Sequence, residues 1–222
     1  MSDSSSSDHV QSSIIWMNSN CDTKSKRTEY LNQLMKFISI DNFGNCGNNR
    51  RDLPQHIVEI QKSANKNLKQ RDTYDWLNGK LSLIKDYLFT IAFENSRDLD
   101  YITEKLWHPL VTGSIPIYYG APNVDEWLPC QSNCIIDLSK FNSSEEAARF
   151  ILHVGQNQSL YESFHTWRSK PFRKEFISKM NYFDRMNDYS LDCILCSLTN
   201  KVKRNENIYL AIEQIKQRLG QF

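Results

Sequence analysis

The sequence predicts an α/β fold, a parallel sheet covered by helices on both faces. Three observations carry that expectation. Residues 87–93 read YLFTIAF, an almost wholly apolar run rich in aromatic and branched side chains, as a strand buried on both faces requires. Residues 115–119 read IPIYY, a second such run. Between them, Tyr101 to Val111 sets Ile102, Leu106 and Leu110 at helical spacing, and Gly113 supplies a stop. A strand, a helix and a strand in that order imply a right-handed crossover between parallel neighbours.

The other elements follow in chain order. Ser13 to Met17 (SIIWM) is a short apolar run and reads as a buried strand. Lys24 to Ile38 carries Tyr30, Leu31, Leu34, Met35 and Ile38 at helical spacing. Ser39 to Asp41 suits a second short strand, and NFGNCGNN after it is a loop. Pro54 to about Gln70 reads as a polar helix or a surface insertion. Pro109 lacks an N–H and predicts a kink or an early end in its helix. Gly120-Ala-Pro is a tight turn, and Cys134 to Asp137 is another short strand. Ser143 to Val154 is an amphipathic helix, with a Ser cap and with Glu145 and Glu146 where the helix dipole favours acids. More helix is expected through Phe176, and Asn205 to Leu219 reads as a terminal helix docked at the edge.

Composition narrows the function classes. Twenty-seven basic residues against 26 acidic ones give a net charge of +1, which offers nothing to a nucleic acid partner. No apolar run approaches the roughly 20 residues of a membrane span. The start, MSDSSSSDHVQSS, has neither a basic n-region nor an apolar h-region, so it is no signal peptide; residues 1–12 read as a disordered lead. Cysteines stand at 21, 46, 130, 134, 193 and 196, an even count that permits disulfides. Cys130-x₃-Cys134 with Cys193-x₂-Cys196 equally permits a four-sulfur zinc site. Asn142-Ser-Ser and Asn157-Gln-Ser are sequons that would carry glycans in a secretory compartment. The histidines at 9, 56, 108, 153 and 165 show no metal spacing.

Chemistry concentrates at one strand end. Ligands of open α/β sheets bind beyond the carboxyl ends of the strands, where Glu94 and Asn95 fall. On the following helix, Tyr101, Glu104, Lys105 and His108 recur at i, i+3, i+4 and i+7 and share a face. The N–H groups at a helix start favour an anion. A lysine there can neutralise phosphate, and a carboxylate beside it can accept from ribose hydroxyls. A nucleotide diphosphate is the expected ligand.

FENSRDLDYITEKLW followed by GSIPIYYGAPNVDEWLP resembles the donor-binding motif of the α-1,3/4-fucosyltransferases, glycosyltransferase family 10. WMNSNCDTKSKRTEYLNQLMKFISIDNFGNC, DLSKFNSSEEAARFI and CILC fit the same family, and the likeness is greatest to the branch that fucosylates protein-borne acceptors. It runs from about Ile14 to Cys196, with an atypical stretch around 51–86. The resemblance implies a Rossmann-like, C-terminal donor-binding half of a GT-B glycosyltransferase. Residues 13–200 would be the GDP-fucose-binding domain and 201–222 a C-terminal helix. Arg27 and Lys105 would hold the diphosphate, Glu104 the ribose, and Asn95 and Tyr101 the fucose region. The family inverts configuration, and its catalytic base belongs to an N-terminal acceptor domain that this chain is expected to lack, as a shortened gene product or a piece without its natural start. Glu94 reads as a structural acid.

The resemblance also implies that no metal is needed, because fixed cations stabilise the departing GDP. Asp98 and Asp100, spaced like a metal-binding DxD pair, then read as caps of the following helix. The family uses disulfides, with Cys21–Cys46 the expected pair, since the intervening helix returns the chain; Cys193 and Cys196 would reach toward partners or stay as thiols. The acceptor would be a glycan or glycoprotein, in the Golgi lumen or at its membrane, or alternatively in the endoplasmic reticulum. Membrane association would come only through a segment outside this chain. Two other functions stay open: an inactive GDP-sugar-binding remnant or partner module, and a zinc- or disulfide-stabilised interaction domain.

Overall fold

The computed structural model describes residues 12–47, 49, 52–65 and 73–188. The expected terminal helix, Cys193 and Cys196 lie outside these residues. The chain divides into two units, one formed by residues 1–124 and 132–170, the other by 125–131 and 171–222.

The first unit holds a five-stranded, wholly parallel sheet of order β2-β1-β3-β4-β5. The strands are β1 (Ile14–Trp16), β2 (Asp41–Asn42), β3 (Phe89–Phe93), β4 (Ile115–Tyr119) and β5 (Ile136–Asp137). The second strand begins two residues later than expected, since its pairing with β1 starts at Asp41, opposite Ile15. Helices α1 (Arg27–Leu34), α2 (Gln55–Asn65), α3 (Thr73–Lys85), α4 (Glu104–Thr112), α5 (Ser144–Gln156) and α6 (Gln158–Ser163) complete this unit. No helix among the described residues is long and apolar enough to cross a membrane.

Strand alternation sorts the core into two layers. Ile14 and Trp16 of β1, with Phe89, Ile91 and Phe93 of β3 and Ile115 and Ile117 of β4, pack with Leu31 and Leu34 of α1 and Ala147, Ala148 and Ile151 of α5. Ile15 turns the other way and meets Ile57, Leu83 and Tyr87. Burying a side chain of this size contributes roughly 1.5–3 kcal/mol, so a sheet covered on both sides is the stable outcome. Pro116 is tolerated inside β4 because pairing with β5 begins only at Ile117. Ile115 donates toward β3, to the Leu88 carbonyl, so by alternation the Pro116 nitrogen faces the side without a partner strand.

Three expectations are corrected here. Helix α4 starts at Glu104 rather than Tyr101, and its cap is Thr103, not Asp98 or Asp100. Asp100 sits at φ 60, and Asp98 is engaged by Ser96 and Lys24, so neither reaches the helix start. Pro109 does not end α4, which continues to Thr112 and stops at Gly113 (φ 96); there the left-handed backbone suits glycine. The polar stretch after Pro54 is a helix, and a second helix, α3, follows it where none was expected.

Helix α7 (Lys174–Asp188) belongs to the second unit. Lys179 ties it to residues 125–131 by pairing with Glu126 at 3.0 Å and lying over the Trp127 ring. The helix expected to run through Phe176 is thus broken into α6, a 3-10 turn at Thr166–Ser169, and α7; Pro171 stands in the gap.

Candidate functional site

The strand order sets the site. In a doubly wound sheet of order 2-1-3-4-5, connections diverge between strands 1 and 3, leaving a crevice beyond their carboxyl ends. A cleft of about 440 Å³ opens there. Met17, Asn18, Ser19 and Asn20 follow β1 and line it, together with Phe43, Gly44 and Asn45 after β2 and Asn95 after β3. Leu53, Ile57 and Leu83 supply apolar wall, and Arg27, Lys80, Glu104 and Lys105 supply charge. The loops after β1 and β2 touch closely. A Cβ on Gly44 would stand 2.2 Å from the Asn18 nitrogen, so only glycine fits. The Cys21–Cys46 disulfide joins the same two loops, as expected.

Arg27, at the first turn of α1, is 1% exposed. Its Nη1 donates to the Phe93 carbonyl at 2.8 Å, and its Nη2 donates to Asn18 Oδ1 and to the Asn20 carbonyl. It therefore bolts the end of β3 to the loop after β1. Its Nε, buried, has no hydrogen-bond partner, and neither has Asn95 Oδ1. Burial pulls the guanidinium below its ordinary value, against the opposing pull of Glu94 and of Glu104.

Glu94 is completely buried. Its carboxylate accepts from Thr103 N at 2.8 Å and from Thr103 Oγ1 at 2.7 Å. It locks the first turn of α4 to the end of β3, which makes it the structural acid that was expected. Burial raises its pKa, while the Thr103 bonds and Lys105 oppose the rise. A Cβ on Gly120 would meet the Glu94 Cγ at 2.7 Å, so the turn after β4 also leaves room for this side chain.

Lys105 donates to Thr103 Oγ1 at 3.0 Å and lies 3.2 Å from Glu104 and 3.7 Å from Glu94. Lys80, from α3, approaches the same Glu104 oxygen at 4.0 Å with a side chain only 13% exposed. Burial would raise the Glu104 pKa, but Lys105 and Lys80 outweigh it and hold the carboxyl below its ordinary value. Four of the five expected residues, Arg27, Asn95, Glu104 and Lys105, thus line one cleft. Tyr101 is not in its lining, because it precedes α4 rather than sharing its face. Its phenol is still close enough to Arg27 to act on its charge. His108 stands apart, half-buried, with Nδ1 unpartnered and its pKa lowered by burial.

Sequence reasoning missed Asn18, Asn20 and Lys80. The two asparagines were open to the strand-end rule that singled out Asn95. Lys80 carried no signal, since α3 itself was not expected. The zinc alternative is corrected: Cys130 and Cys134 are both disulfide-bonded, so their sulfurs are not thiolate ligands. No group of three or more His, Cys, Asp or Glu among the described residues is placed to hold a metal ion. Asn142 and Asn157 are both exposed; Asn157 caps α6 by accepting from Leu160 N.

Comparison with known proteins bears on the family and on the fold. Residues 8–218 match the family described as glycosyltransferase family 10 (fucosyltransferase), C-terminal part. GDP-fucose protein O-fucosyltransferase 3 of Xenopus laevis is 34% identical over 201 residues, covering 87% of this chain and 40% of the relative. The Homo sapiens protein of that name is 36% identical over 157 residues, covering 71% and 30%. Alpha-(1,3)-fucosyltransferase B of Drosophila melanogaster is 36% identical over 152 residues, covering 68% and 32%. The chain spans at most 40% of the length of these relatives. A crystal structure of an α1,3-fucosyltransferase with GDP superposes with a TM-score of 0.51 at 20% identity, covering 68% of this chain and 37% of that one. That likeness concerns the fold alone; with the family match it bears out the expected Rossmann-like half of a GT-B glycosyltransferase. The chain belongs to glycosyltransferase family 10, the fucosyltransferases, and corresponds to the family's C-terminal part.

Proposed function

We propose that this chain binds GDP-fucose in the cleft beyond β1 and β3 and serves an inverting transfer of fucose to a hydroxyl of a glycan or glycoprotein. The observation that carries the reading is the convergence of Arg27, Asn95, Glu104 and Lys105 on one cleft at the switch point of the sheet. Arg27 and Lys105 face the diphosphate, Glu104 accepts from the ribose hydroxyls, and Asn95 and Tyr101 border the fucose. The apolar wall of Phe43, Leu53, Ile57 and Leu83 suits a flat base.

In this reading the acceptor oxygen attacks the anomeric carbon opposite GDP. The carbon–oxygen bond to the diphosphate breaks, GDP leaves with the electron pair, and a carboxylate takes the acceptor proton. Negative charge grows on the diphosphate in the transition state, where fixed cations stabilise it without reorganising. No divalent ion is required for that task. The setting would be the lumen of the Golgi apparatus, where the family's donor and acceptors meet.

Titration of GDP into the protein by calorimetry tests the donor site. Lys105→Ala should weaken binding by about 2 kcal/mol, as loss of a charge-assisted hydrogen bond does; unchanged affinity overturns the phosphate role. A second reading, a module that holds the nucleotide sugar without transferring it, is favoured by one observation. Of the carboxylates at the cleft, Glu94 is committed to Thr103 and Glu104 lies between two lysines, so neither is poised as a base. Release of GDP in the presence of glycoprotein acceptor decides between the two.

A further inference from the structure

The loops after β1 and β2 both line the cleft, and they are held in different ways. The loop after β2 is fixed from within. Asn42, fully buried, donates through Nδ2 to the Cys46 carbonyl at 2.6 Å and accepts from Gly44 N at 3.0 Å. Cys46 itself is 3% exposed and belongs to the core cluster that holds Trp16 and Phe93. The loop after β1 has no such footing. Residues 18–26 read NSNCDTKSK, and none of residues 17–24 is buried. A segment that buries no side chain opens locally at little cost. Yet Asn18, Ser19 and Asn20, from this segment, line the cleft.

The Cys21–Cys46 disulfide hangs this loop on the core, with its Cys21 end exposed and its Cys46 end buried. The consequence reaches Arg27. Its Nη2 donates to Asn18 Oδ1 and to the Asn20 carbonyl, both on the Cys21 loop, while Nη1 donates to the Phe93 carbonyl. With the loop in place, both Nη groups are gripped and Nε stays without a partner. With the loop loose, Nη2 loses both acceptors, and a guanidinium only 1% exposed must turn to find others. Asn45 N also donates to the Asn18 carbonyl at 2.7 Å, but a single hydrogen bond is a weak tie beside a covalent one.

We propose that Cys21 and Cys46 are positioning residues of the nucleotide site: their disulfide holds the loop after β1 so that Asn18 and Asn20 fix the Arg27 guanidinium for the diphosphate. The inference rests on the donor-site reading above. It gives the crosslink a part in donor affinity as well as in stability.

The test is calorimetric titration of GDP and of guanosine into the 222-residue chain, at a temperature where thermal melts show each protein folded. Wild type is compared with Cys21→Ser/Cys46→Ser and with Cys21→Ser/Cys46→Val. The second keeps an apolar side chain at the buried position and secures the comparison if the first fails to fold. Substitution, unlike a reductant, leaves the disulfides of Cys130 and Cys134 intact. Apparent affinity falls with the fraction of molecules whose site is formed, so GDP should bind about tenfold more weakly without the crosslink. Guanosine, which has no phosphate for Arg27 to meet, should bind as before. A lower melting temperature with unchanged GDP affinity assigns the disulfide to stability alone; it overturns the inference and leaves the donor reading standing. Equal weakening of GDP and guanosine means that the crosslink shapes the whole cleft rather than Arg27, and also overturns it. A wild-type chain that binds no GDP overturns the donor reading itself, and the inference with it.

Discussion

Two clefts open at the carboxyl end of the same sheet, and they hold their charges in opposite ways. The cleft beyond β1 and β3 keeps two charges from water, Arg27 at 1% exposure and Glu94 beside it at 0%, and Arg27 Nε and Asn95 Oδ1 of its lining residues stay unpartnered. The other, about 410 Å³, is lined by Lys24, Tyr30, Arg97, Asp98 and Tyr119 among others. There the charges satisfy one another in the open. Lys24 meets both Asp98 oxygens at 2.9 Å, with side chains 73% and 59% exposed. Arg97 lies over the Tyr119 ring, which stacks on Tyr30. Comparable volume and similar residue types therefore do not make equivalent sites. A charge kept from water must be held by the partners the fold supplies, as Arg27 is by Phe93, Asn18 and Asn20, whereas an exposed pair contributes little.

The largest effect that sharpens this contrast is expected from Arg27→Met. The substitution leaves the Phe93 and Asn20 carbonyls and Asn18 without their donor. Breaking a buried charged network should cost about 3 kcal/mol, read as a fall in the urea midpoint. A midpoint matching wild type would place Arg27 with the exposed charges instead.

Glu94→Gln comes next, with a loss on the order of 1 kcal/mol near pH 4, because the amide NH2 replaces one of the two oxygens that face the Thr103 donors. Its pH dependence has a definite sign. Burial raises the Glu94 pKa in the fold above its unfolded value of 4.5. The stability this group contributes is then fully present below pH 4.5 and is lost as pH rises through the raised value. The advantage of wild type over Glu94→Gln should therefore be largest near pH 4 and shrink toward neutrality in thermal melts. An advantage growing with pH would mean that the Thr103 bonds and Lys105 outweigh burial. Lys24→Ala should do least: melting temperature and GDP affinity both indistinguishable from wild type. A marked loss of either would give the second cleft a role that its exposed pairs do not suggest.

Much of this was legible in the sequence because it is local. The apolar run ending at Phe93, the run at Ile115–Tyr119, the Ser143 cap and the Gly113 stop are all written within a few residues of where they act. Spacing alone misplaced the start of α4, because Tyr101 fits the helical period while Asp100, at φ 60, breaks it. A side chain's period survives in the sequence; a backbone angle does not.

The sequence by itself determined the parallel sheet, the strand end bearing Glu94 and Asn95, and the residues proposed to hold phosphate and ribose. Only the tertiary structure decided which of them meet. Seating β1 between β2 and β3 brings Asn18, Arg27 and Asn95 together across more than seventy residues of chain, and packing α3 beside α4 delivers Lys80 to Glu104. Strand order and helix packing are set by how the whole chain buries its apolar surface, a sum over distant residues that no local window contains.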